Sequence, residues 1–587
     1  MSVSGEQAAP AETLTAAEET FERWRKMVGA VAAPVVFLLV FWALSGTTFK
    51  PKSATFAADA GVALSAILAG VGVLWITEAL PLPVTALVGA MACILMGVAE
   101  AKVVLAPFAD PMIFLFLGSF ILARAMSLHG LDKRIALGFL SWPIIAGRPG
   151  RVMAGMGVIT AVISMWVSNT ATTAMMLPIA LGILAALHEV RTRVGLASGP
   201  MDARRWPFAT GMLLMIAYSA SIGGIGTKVG SPPNLITLGQ LERMTGRTMT
   251  FFEWMMVMVP MLAVMGAVLL ALLYWLHPDR TAARPGADRA HAASESQGLA
   301  DFLTQERAKL GRWTAGQRNT LIAFAVAVGL WVTPGILSVF AEGKDKKPVT
   351  PTITSERTLV GAKPATDVTT TKPIEAASGA KPQAAQQNGI DKALAFFSGK
   401  GRLPEASVAL LAALLLFILP TDLRHGKFTM SWGEAAKIDW GTLLLFGGGI
   451  ALGDLMFQTG VADSLGSWAV QKTGANSLWV LVAVMAALGI FLSETTSNTA
   501  AATMLAPVAI VMAQGIGVSA VPPALGACLG ASFGFMLPVS TPPNAIVFGS
   551  GLVPITRMIR AGILFDVLGF VIIVAGLRVL CPLLGLV

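Results

Sequence analysis

Two short polar motifs, each present twice, contain the residue types best suited to bind a small ligand. Ser-Asn-Thr-Ala occurs at residues 168–171 and again at 497–500. Ser-Pro-Pro-Asn at 231–234 is matched by Thr-Pro-Pro-Asn at 541–544. Ser, Thr and Asn are favoured N-cap residues, and Pro is favoured in the first turn of a helix. Each motif is therefore predicted to begin a helix.

The start of a helix is chemically suited to anions. It carries unpaired N–H groups and about half a positive charge from the aligned peptide dipoles. Ser231-Pro232 and Thr541-Pro542 predict a cap followed by a first turn, and Asn169-Thr170 and Asn498-Thr499 are expected to play the same part. Four such starts meeting at one place would form an anion site.

Neither Arg nor His lies within these motifs, so a buried dianion would need another source of positive charge. The oxygen atoms at the same positions are ligands that suit Na⁺, by analogy with other hard cations. We therefore expect two Na⁺ sites beside the anion. The first comprises Ser164, Ser168, Asn169 and the carbonyl of Gly230; the second comprises Ser493, Asn498 and the carbonyls of Thr496 and Ser540.

The elements that would hold these motifs are membrane helices. Hydrophobic residues make up 55% of the 587 residues and charged residues only 13%, too few to cover a soluble protein of this size. The composition therefore predicts an all-α polytopic membrane protein. Eleven apolar stretches are long enough to span: 28–46, 58–78, 82–98, 110–128, 208–240, 254–277, 317–340, 404–420, 439–457, 522–551 and 560–585.

Two further apolar stretches, 152–187 and 478–513, have polar residues at their centres and are too long for one crossing. They are predicted to be re-entrant helical hairpins, because a polar break is tolerated only inside protein or beside a wet cavity. Basic residues are concentrated in the segments that follow the fourth span and the first hairpin. The positive-inside rule then predicts a cytoplasmic N-terminus and an external C-terminus.

The two halves are predicted to be inverted repeats. The Ser-Asn-Thr motifs lie 329 residues apart, the Pro-Pro-Asn motifs lie 310 apart, and the hairpins enter from opposite sides. Inverted repeats with broken helices are typical of secondary transporters. The predicted organisation begins with a cytoplasmic tail (1–27) and a first repeat (28–277), which contains a hairpin at 152–187 and a broken helix at 208–240. A cytoplasmic polar loop (278–316), a span (317–340) and a disordered external insertion (341–403) follow. The second repeat (404–587) contains a hairpin at 478–513 and a broken helix at 522–551.

These motifs, together with Thr-Glu-Ala-Leu-Pro at 77–81, closely resemble the divalent anion/Na⁺ symporter family of the solute carrier 13 type, from about residue 60 onward. The resemblance implies a homodimer in which a transport domain moves as an elevator against a scaffold. It implies Na⁺ as the coupling ion and di- or tricarboxylates, or sulfate, as substrates. Carried onto this chain, the substrate would meet Asn169, Thr170, Ser231, Pro232, Asn498, Thr499, Thr541 and Pro542, with Na⁺ at the two sets of residues named above.

Two ionisable residues are candidate modulators. Lys228 stands two residues before Gly230, where the family usually has an uncharged residue. It could replace a cation, pair with the substrate, favour Na⁺-independent exchange, or simply snorkel or pair with an acid. Glu494 could tune the second Na⁺ site or hold the fold by hydrogen bonds.

The function predicted is Na⁺-coupled symport of C4-dicarboxylates such as succinate, malate and fumarate. A dicarboxylate exchanger and a sulfate transporter are the alternatives on the same fold. An enzyme is not expected, because no catalytic His, Cys or paired-carboxylate constellation is visible at mid-membrane. A channel would be recognised by its conductance. We expect a bacterial inner membrane protein, with lipid and a small dianion as partners, no nucleic acid, and no organic cofactor.

Overall fold

The computed structural model describes residues 16–53, 56–57, 59–196, 206–279, 289–342, 403–465 and 477–587. Within these ranges the regular secondary structure is helical apart from one short hairpin, in which β1 (Pro420–Asp422) pairs antiparallel with β2 (Lys427–Phe428). The predicted all-α class is therefore confirmed. Nearly all of the predicted disordered insertion, 343–402, lies outside the described residues.

The first half contains fourteen described helices. They are α1 (Ala16–Ala43), α2 (Ala60–Thr77), α3 (Leu82–Leu95), α4 (Ala101–Leu105), α5 (Pro111–Leu128), α6 (Leu131–Leu140), α7 (Pro143–Ala146), α8 (Pro149–Ser164), α9 (Asn169–Arg193), α10 (Pro207–Gly223), α11 (Pro232–Thr245), α12 (Phe251–Leu276), α13 (Arg289–Lys309) and α14 (Ala315–Glu342).

The second half contains eight described helices. They are α15 (Glu405–Ile418), α16 (Trp432–Ala435), α17 (Trp440–Gln458), α18 (Leu478–Thr495), α19 (Asn498–Gly515), α20 (Val521–Ala531), α21 (Pro542–Phe548) and α22 (Ile555–Leu583). Short 3₁₀ turns at Ala106–Ala109 and Leu423–His425 join neighbouring elements.

Both predicted hairpins and both predicted broken helices are present. The first hairpin is α8 and α9, and the second is α18 and α19. The first broken helix is α10 and α11, and the second is α20 and α21. The interruptions fall at the four polar motifs, because each motif supplies the cap or proline that begins a new helix.

The first arm of each hairpin packs directly on the first half of the broken helix in the same repeat. A Cβ atom at Gly223 of α10 would lie 2.5 Å from the carbonyl oxygen of Ala161 in α8. A Cβ atom at Gly489 of α18 would lie 2.7 Å from the backbone nitrogen of Ala531 in α20, and one at Gly530 would overlap the carbonyl of Ala486. Small residues thus allow backbone to touch backbone along both seams.

Nine helical segments of the described chain are long and apolar enough to cross a membrane. Seven of them correspond to predicted spans, and the other two are α9 and α18, arms of the two hairpins. The remaining four predicted spans fall on shorter helices: α3, α15 and the two broken helices. The four remaining predicted spans therefore consist of helices that are each shorter than the roughly 20 residues of a straight crossing, and two of these spans are the broken helices.

Two segments predicted as a tail and a loop contain more helix than the sequence indicated. The tail predicted over 1–27 is helical from Ala16 onward, because α1 begins well before its apolar run. The polar loop predicted over 278–316 contains the 21-residue helix α13. Leu299 and Leu303 of α13 are almost fully buried, and Phe302 packs on Gly182 of α9. Leu299, Phe302 and Leu303 form a narrow apolar stripe with i, i+3, i+4 spacing among charged residues. The mean hydropathy of the segment therefore gave no sign of a buried helix.

One face of the molecule gathers the ends of several helices. His129, just after α5, lies 2.8 Å from the carbonyl of Thr429, and Asn319 of α14 donates to the Thr429 hydroxyl at 2.8 Å. Arg134 of α6 donates to the carbonyl of Leu310 after α13 at 2.7 Å. This face also carries Lys133, Arg312, Arg424 and Lys427. By the positive-inside rule it is the face expected in the cytoplasm; below it is called the basic face.

Candidate functional site

The two Ser-Asn-Thr motifs form the turning points of the hairpins, and we call them the first tip (168–170) and the second tip (497–499). Ser168 caps α9 by accepting a hydrogen bond from the backbone N–H of Ala171 at 3.3 Å, and Ser497 caps α19 from Ala500 at 3.2 Å. The sequence had assigned the cap to the Asn-Thr pairs. The structure corrects this by one residue, since the serine hydroxyl reaches the third N–H of the helix.

Asn169 and Asn498, which directly follow the capping serines, contact an equivalent serine in each repeat. Ser164 Oγ lies 2.8 Å from Asn169 Oδ1, and Ser493 Oγ lies 2.7 Å from Asn498 Oδ1. Ser164 Oγ also lies 2.6 Å from the carbonyl oxygen of Ala220. A hydroxyl has one proton to donate, so it serves one of these oxygens at a time. The first tip therefore gathers more oxygen acceptors than protons.

Further carbonyl oxygens crowd the same place. A Cβ atom at Gly230 would lie 2.6 Å from the carbonyl oxygen of Gly224 and 2.7 Å from that of Met165. A Cβ atom at Gly534 would lie 2.9 Å from Ser493 Oγ in the second half. Only glycine permits this approach, and the resulting groups of hard oxygen ligands suit a small hard cation.

Asn234 and Asn544 are site residues to which the sequence interpretation gave no role. Asn234 Nδ2 donates to the carbonyls of Gly224 and Thr227, each at 2.8 Å. Asn544 Nδ2 donates to the carbonyls of Gly534 at 3.1 Å and Leu537 at 3.0 Å. The bonds reach back ten and seven residues in both cases, so each asparagine closes the loop of its broken helix. Their place in the repeated Pro-Pro-Asn motifs was the signal that could have identified them.

Ser231 and Thr541 occupy the N-cap positions of α11 and α21, and Pro232 and Pro542 follow in the first turn, as predicted. Thr541 accepts from the N–H of Asn544 at 3.4 Å, whereas Ser231 makes no side-chain cap bond. Helix α21 is only seven residues long, so its aligned dipole is smaller than those of α9, α11 and α19. The four predicted positive helix ends are thus unequal.

Both tips and both loops line one cavity of about 570 Å³. All eight predicted substrate residues line it, and so do Ser168, Gly230 and Ser540 of the predicted Na⁺ sites. Ser164, Ser493 and Thr496 lie outside the lining and are almost fully buried. Other parts of the wall come from α5 and from residues 437–442. The structure therefore brings the two motif pairs together around a shared space of the size usual for small-molecule sites.

Thr496 and Ser540 direct their hydroxyls away from the oxygen group that surrounds Ser493. Thr496 Oγ1 donates to the carbonyl of Trp75 at 3.1 Å, and Ser540 Oγ donates to Glu494 Oε2 at 2.5 Å. The sequence interpretation assigned their carbonyl oxygens, and not their hydroxyls, to the second Na⁺ site. That assignment stays a prediction.

Lys228 is paired with an acid and does not line the cavity. Its Nζ lies 2.7 Å from Glu405 Oε2 and also donates to the carbonyl of Met249. Glu405 Oε1 in turn accepts from the N–H of Phe251 at 2.6 Å. Among the alternatives for Lys228, the structure favours the ion pair, which joins the loop before α11 to the start of α15.

Glu494 holds the second broken helix in shape. Its Oε1 accepts from the N–H groups of Phe535 at 2.6 Å and Met536 at 2.9 Å, and its Oε2 accepts from Ser540. The carboxylate therefore fixes the loop that carries Ser540. This arrangement favours the hydrogen-bonding role predicted for Glu494.

Comparison with known proteins shows matches that extend over nearly the whole chain. The chain matches the family model described as the sodium:sulfate symporter transmembrane region over residues 25–587. It is similar to the sodium-dependent dicarboxylate transporter SdcS of Staphylococcus saprophyticus, with 30% identity over 95% of this chain and 92% of that protein. It is also similar to an uncharacterized transporter of Haemophilus influenzae, with 33% identity over 91% and 94% of the two chains.

Among solved structures, the chain is similar to MtrF of Neisseria gonorrhoeae, with 13% identity, coverage of 95% and 97%, and a TM-score of 0.49. The family match takes in nearly every helix described above, including all four polar motifs. The protein is accordingly an integral membrane transporter and not an enzyme. It belongs to the sodium:sulfate symporter family, also called the divalent anion/Na⁺ symporters, as its paired motifs had indicated.

Proposed function

We propose that this protein is a secondary active transporter that moves a C4-dicarboxylate, such as succinate, malate or fumarate, or a related di- or tricarboxylate, together with Na⁺. The observation that carries the proposal is the meeting of both tips and both loops at one cavity. Helix starts there offer N–H donors and partial positive charge to a carboxylate at each end of the substrate. The name of the S. saprophyticus relative points to the same substrate class and coupling ion.

Na⁺ is the second cargo in this proposal. The oxygen groups beside the tips lie next to the space where the anion would bind, so cation and anion would neutralise one another. Ser164, Ser168, Asn169 and the carbonyl of Gly230 would hold one ion. Ser493, Asn498 and the carbonyls of Thr496 and Ser540 would hold the other. A buried dianion without such neighbours would be strongly unfavourable.

Alternating access would arise from an elevator movement of the hairpins and broken helices against the remaining helices, in a homodimer. The N-terminus would lie in the cytoplasm of a bacterial cell and the C-terminus outside. The cavity wall formed by α5 and residues 437–442 belongs to segments near the basic face. We therefore interpret the conformation described here as one that opens toward the cytoplasm.

Uptake into proteoliposomes tests the proposal. Purified protein should accumulate labelled succinate when a Na⁺ gradient is imposed, and a proton gradient in Na⁺-free medium should not replace it. Unlabelled malate and fumarate should compete strongly, with citrate, aspartate and sulfate as the comparison set. Undiminished uptake without Na⁺ would contradict coupling, and preferential transport of sulfate would contradict the substrate class.

The exchanger alternative loses the residue that had favoured it, because Lys228 is bound to Glu405 and does not line the cavity. Counterflow decides between the two. Obligatory exchange in succinate-loaded vesicles, with no response to a Na⁺ gradient, would establish the exchanger.

A further inference from the structure

The cavity wall carries two cations that no motif predicted. Arg124 comes from α5 and Lys437 from the segment between α16 and α17, and both line the same cavity as the tips. On α5 the lining residues recur at one-turn spacing: Ser119, Phe120, Ala123, Arg124 and Ser127. They therefore form one face of the helix, and Arg124 lies about 8 Å along the axis from Ser119, toward the basic face.

A single carboxylate holds the two cations beside one another. Arg124 Nη2 lies 2.5 Å from Glu434 Oε2, and Lys437 Nζ lies 2.6 Å from Glu434 Oε1. Hydrogen bonds from Lys437 and Arg124 keep the pKa of the Glu434 carboxyl below its usual range, so it is an anion at neutral pH. Glu434 itself is not part of the cavity lining. Both cations therefore contribute to the cavity wall, whereas the counterion that they share does not.

Both cations retain donors for a ligand. Within the described residues Arg124 donates through Nη2 only, to Glu434, so the N–H groups of Nη1 are not engaged. Lys437 uses one of its three N–H bonds on Glu434. The remaining guanidinium N–H groups have the planar geometry that binds a carboxylate through two parallel hydrogen bonds.

An acidic side chain also lies in this wall, but its oxygens already accept hydrogen bonds. Asp439 lines the cavity, but its two oxygens accept from the backbone N–H of Thr442 at 3.1 Å and from the Thr442 hydroxyl at 2.5 Å. It caps the start of α17, where the helix dipole offsets its charge. Arg124, Lys437 and Glu434 together carry one net positive charge, and the Asp439 carboxylate beside them is bound to the start of α17.

We propose that Arg124 and Lys437 form a second anion-binding site, at the mouth of the cavity on the basic face, that captures a substrate carboxylate before it reaches the tips and receives it on release. This mouth site rests on the proposed function, since its ligand is the same dicarboxylate. It requires no movement of the hairpins. Its effect is on capture from one side of the membrane, because charged groups at a mouth raise the rate of encounter with an oppositely charged ligand.

Sided kinetics test the mouth site. Succinate uptake is measured in inside-out and right-side-out vesicles that contain the full chain. We expect Arg124→Gln and Lys437→Gln each to raise the succinate KM about three- to tenfold at the cytoplasmic face, with little change at the external face. Raising the ionic strength should reduce the difference from wild type, because salt screens exposed charges.

The variant Glu434→Gln distinguishes a role of the two cations in substrate binding from a purely structural role. It removes the competing carboxylate from both cations, so the KM at the cytoplasmic face should fall, opposite to the change in the cation variants. Arg124→Lys, which keeps the charge, should recover part of the affinity. Lys133→Gln is the matched control, since Lys133 is an exposed cation on the same face that does not line the cavity. Its KM should not change.

Three outcomes would overturn the mouth site: an unchanged KM at the cytoplasmic face in both cation variants, equal increases at both faces, or a shift of the same sign in Glu434→Gln. If Arg124→Gln fails to accumulate in the membrane, Lys437→Gln answers the question, because its side chain is 59% exposed and carries little packing. The proposed function fails separately: wild-type vesicles would then accumulate no succinate under a Na⁺ gradient.

Discussion

At the scale of single residues, the most informative side chains are those that perform the same task in both repeats. Asn234 and Asn544 each donate two hydrogen bonds across a loop, and Ser164 and Ser493 each contact the asparagine of a tip. Agreement between two copies that share little other sequence indicates that the geometry itself is required. It also provides internal controls for mutation.

The two loop asparagines should be sensitive to loss of their amide. Asn234→Asp replaces two N–H donors with an acceptor that faces two carbonyl oxygens, and Asn544→Asp does the same in the second half. Because each lost hydrogen bond costs about 1 kcal/mol and unpaired oxygens add more, we expect uptake to fall about tenfold or further. Initial rates of succinate uptake, normalised to the amount of folded protein, measure this.

Asn319→Asp is the matched control for the asparagine variants. Asn319 also donates twice, to the carbonyl of Pro420 at 2.9 Å and to Thr429 Oγ1 at 2.8 Å, but it lies on α14, outside the four polar motifs. It should lower thermal stability without changing the succinate or Na⁺ dependence. An equal loss of uptake in all three variants would show that the asparagines only maintain the fold.

Ser164 and Ser493, which contact the tip asparagines, should affect Na⁺ more than the organic substrate. Ser164→Ala and Ser493→Ala each remove a buried oxygen that contacts a tip asparagine. We expect the Na⁺ concentration for half-maximal uptake to rise about five- to tenfold, since one ligand in several is lost, while the succinate KM at saturating Na⁺ changes less.

Ser65→Ala serves as the control for Ser164→Ala and Ser493→Ala, because Ser65 Oγ donates to the carbonyl of Gly61 within its own helix, α2. It should leave the Na⁺ dependence unchanged. If the tip variants also show unaltered Na⁺ dependence, the assignment of these oxygens to cation binding is wrong.

At the scale of elements, ion pairs connect the broken helices to their neighbours. Arg243, near the end of α11, donates to Asp110 Oδ2 through Nε at 2.9 Å and Nη2 at 2.5 Å, and to Asp454 Oδ2 through Nη1 at 2.6 Å. Asp110 caps α5, and Asp454 lies on α17. The Arg243 guanidinium thus holds α11, the second half of the first broken helix, against α5 and α17.

Removing this cation should destabilise the protein measurably. Arg243→Gln leaves two partly buried carboxylates beside each other, and we expect a loss of about 1–3 kcal/mol in the free energy of unfolding. Thermal unfolding of the purified protein in detergent measures the effect. Arg247 is exposed and lies four residues further on. Within the described chain its side chain donates one hydrogen bond, to the carbonyl of Gly585 at 3.4 Å, so Arg247→Gln should have little effect. Equal changes in both variants would contradict the interpretation.

The sequence predicted the elements where the determinants are local, and failed where they are distant. The hairpins and broken helices follow from caps and prolines inside the motifs themselves, so their positions could be read directly. Glu405 is 177 residues from Lys228, and Glu434 is 310 residues from Arg124, so nothing in the sequence pairs them. The mouth site and the true partner of Lys228 depend on such distant contacts. Helix α13 was missed because only three of its residues make its buried stripe.

At the scale of the whole molecule, the arrangement across the membrane can be tested with the chain's own cysteines. Cys93, Cys528 and Cys581 are all buried, so an impermeant thiol reagent should find almost no background. Cysteines introduced at exposed positions then report the side on which each face lies. Arg148 belongs to the segment expected in the cytoplasm, and Lys102 to a segment expected outside.

We expect Lys102→Cys to be labelled by an impermeant maleimide in intact cells and Arg148→Cys to be labelled only in inside-out vesicles. The reason is that an odd number of spans separates the two positions when the N-terminus is cytoplasmic. The cysteine-intact parent is the control for background. The reverse labelling pattern would invert the predicted topology, and with it the side to which the cavity opens.

The glycine seams constrain how such a protein can work. Where Gly223 meets Ala161 and Gly489 meets Ala531, there is no side chain between the backbones to slide or rotate. In the proposed elevator movement, each first hairpin arm and the first half of its broken helix are therefore expected to move together, with the sliding surface elsewhere in the molecule. A methyl group added at Gly223 or Gly530 would overlap the backbone of the neighbouring helix and force the two helices apart, whatever the lipid surroundings.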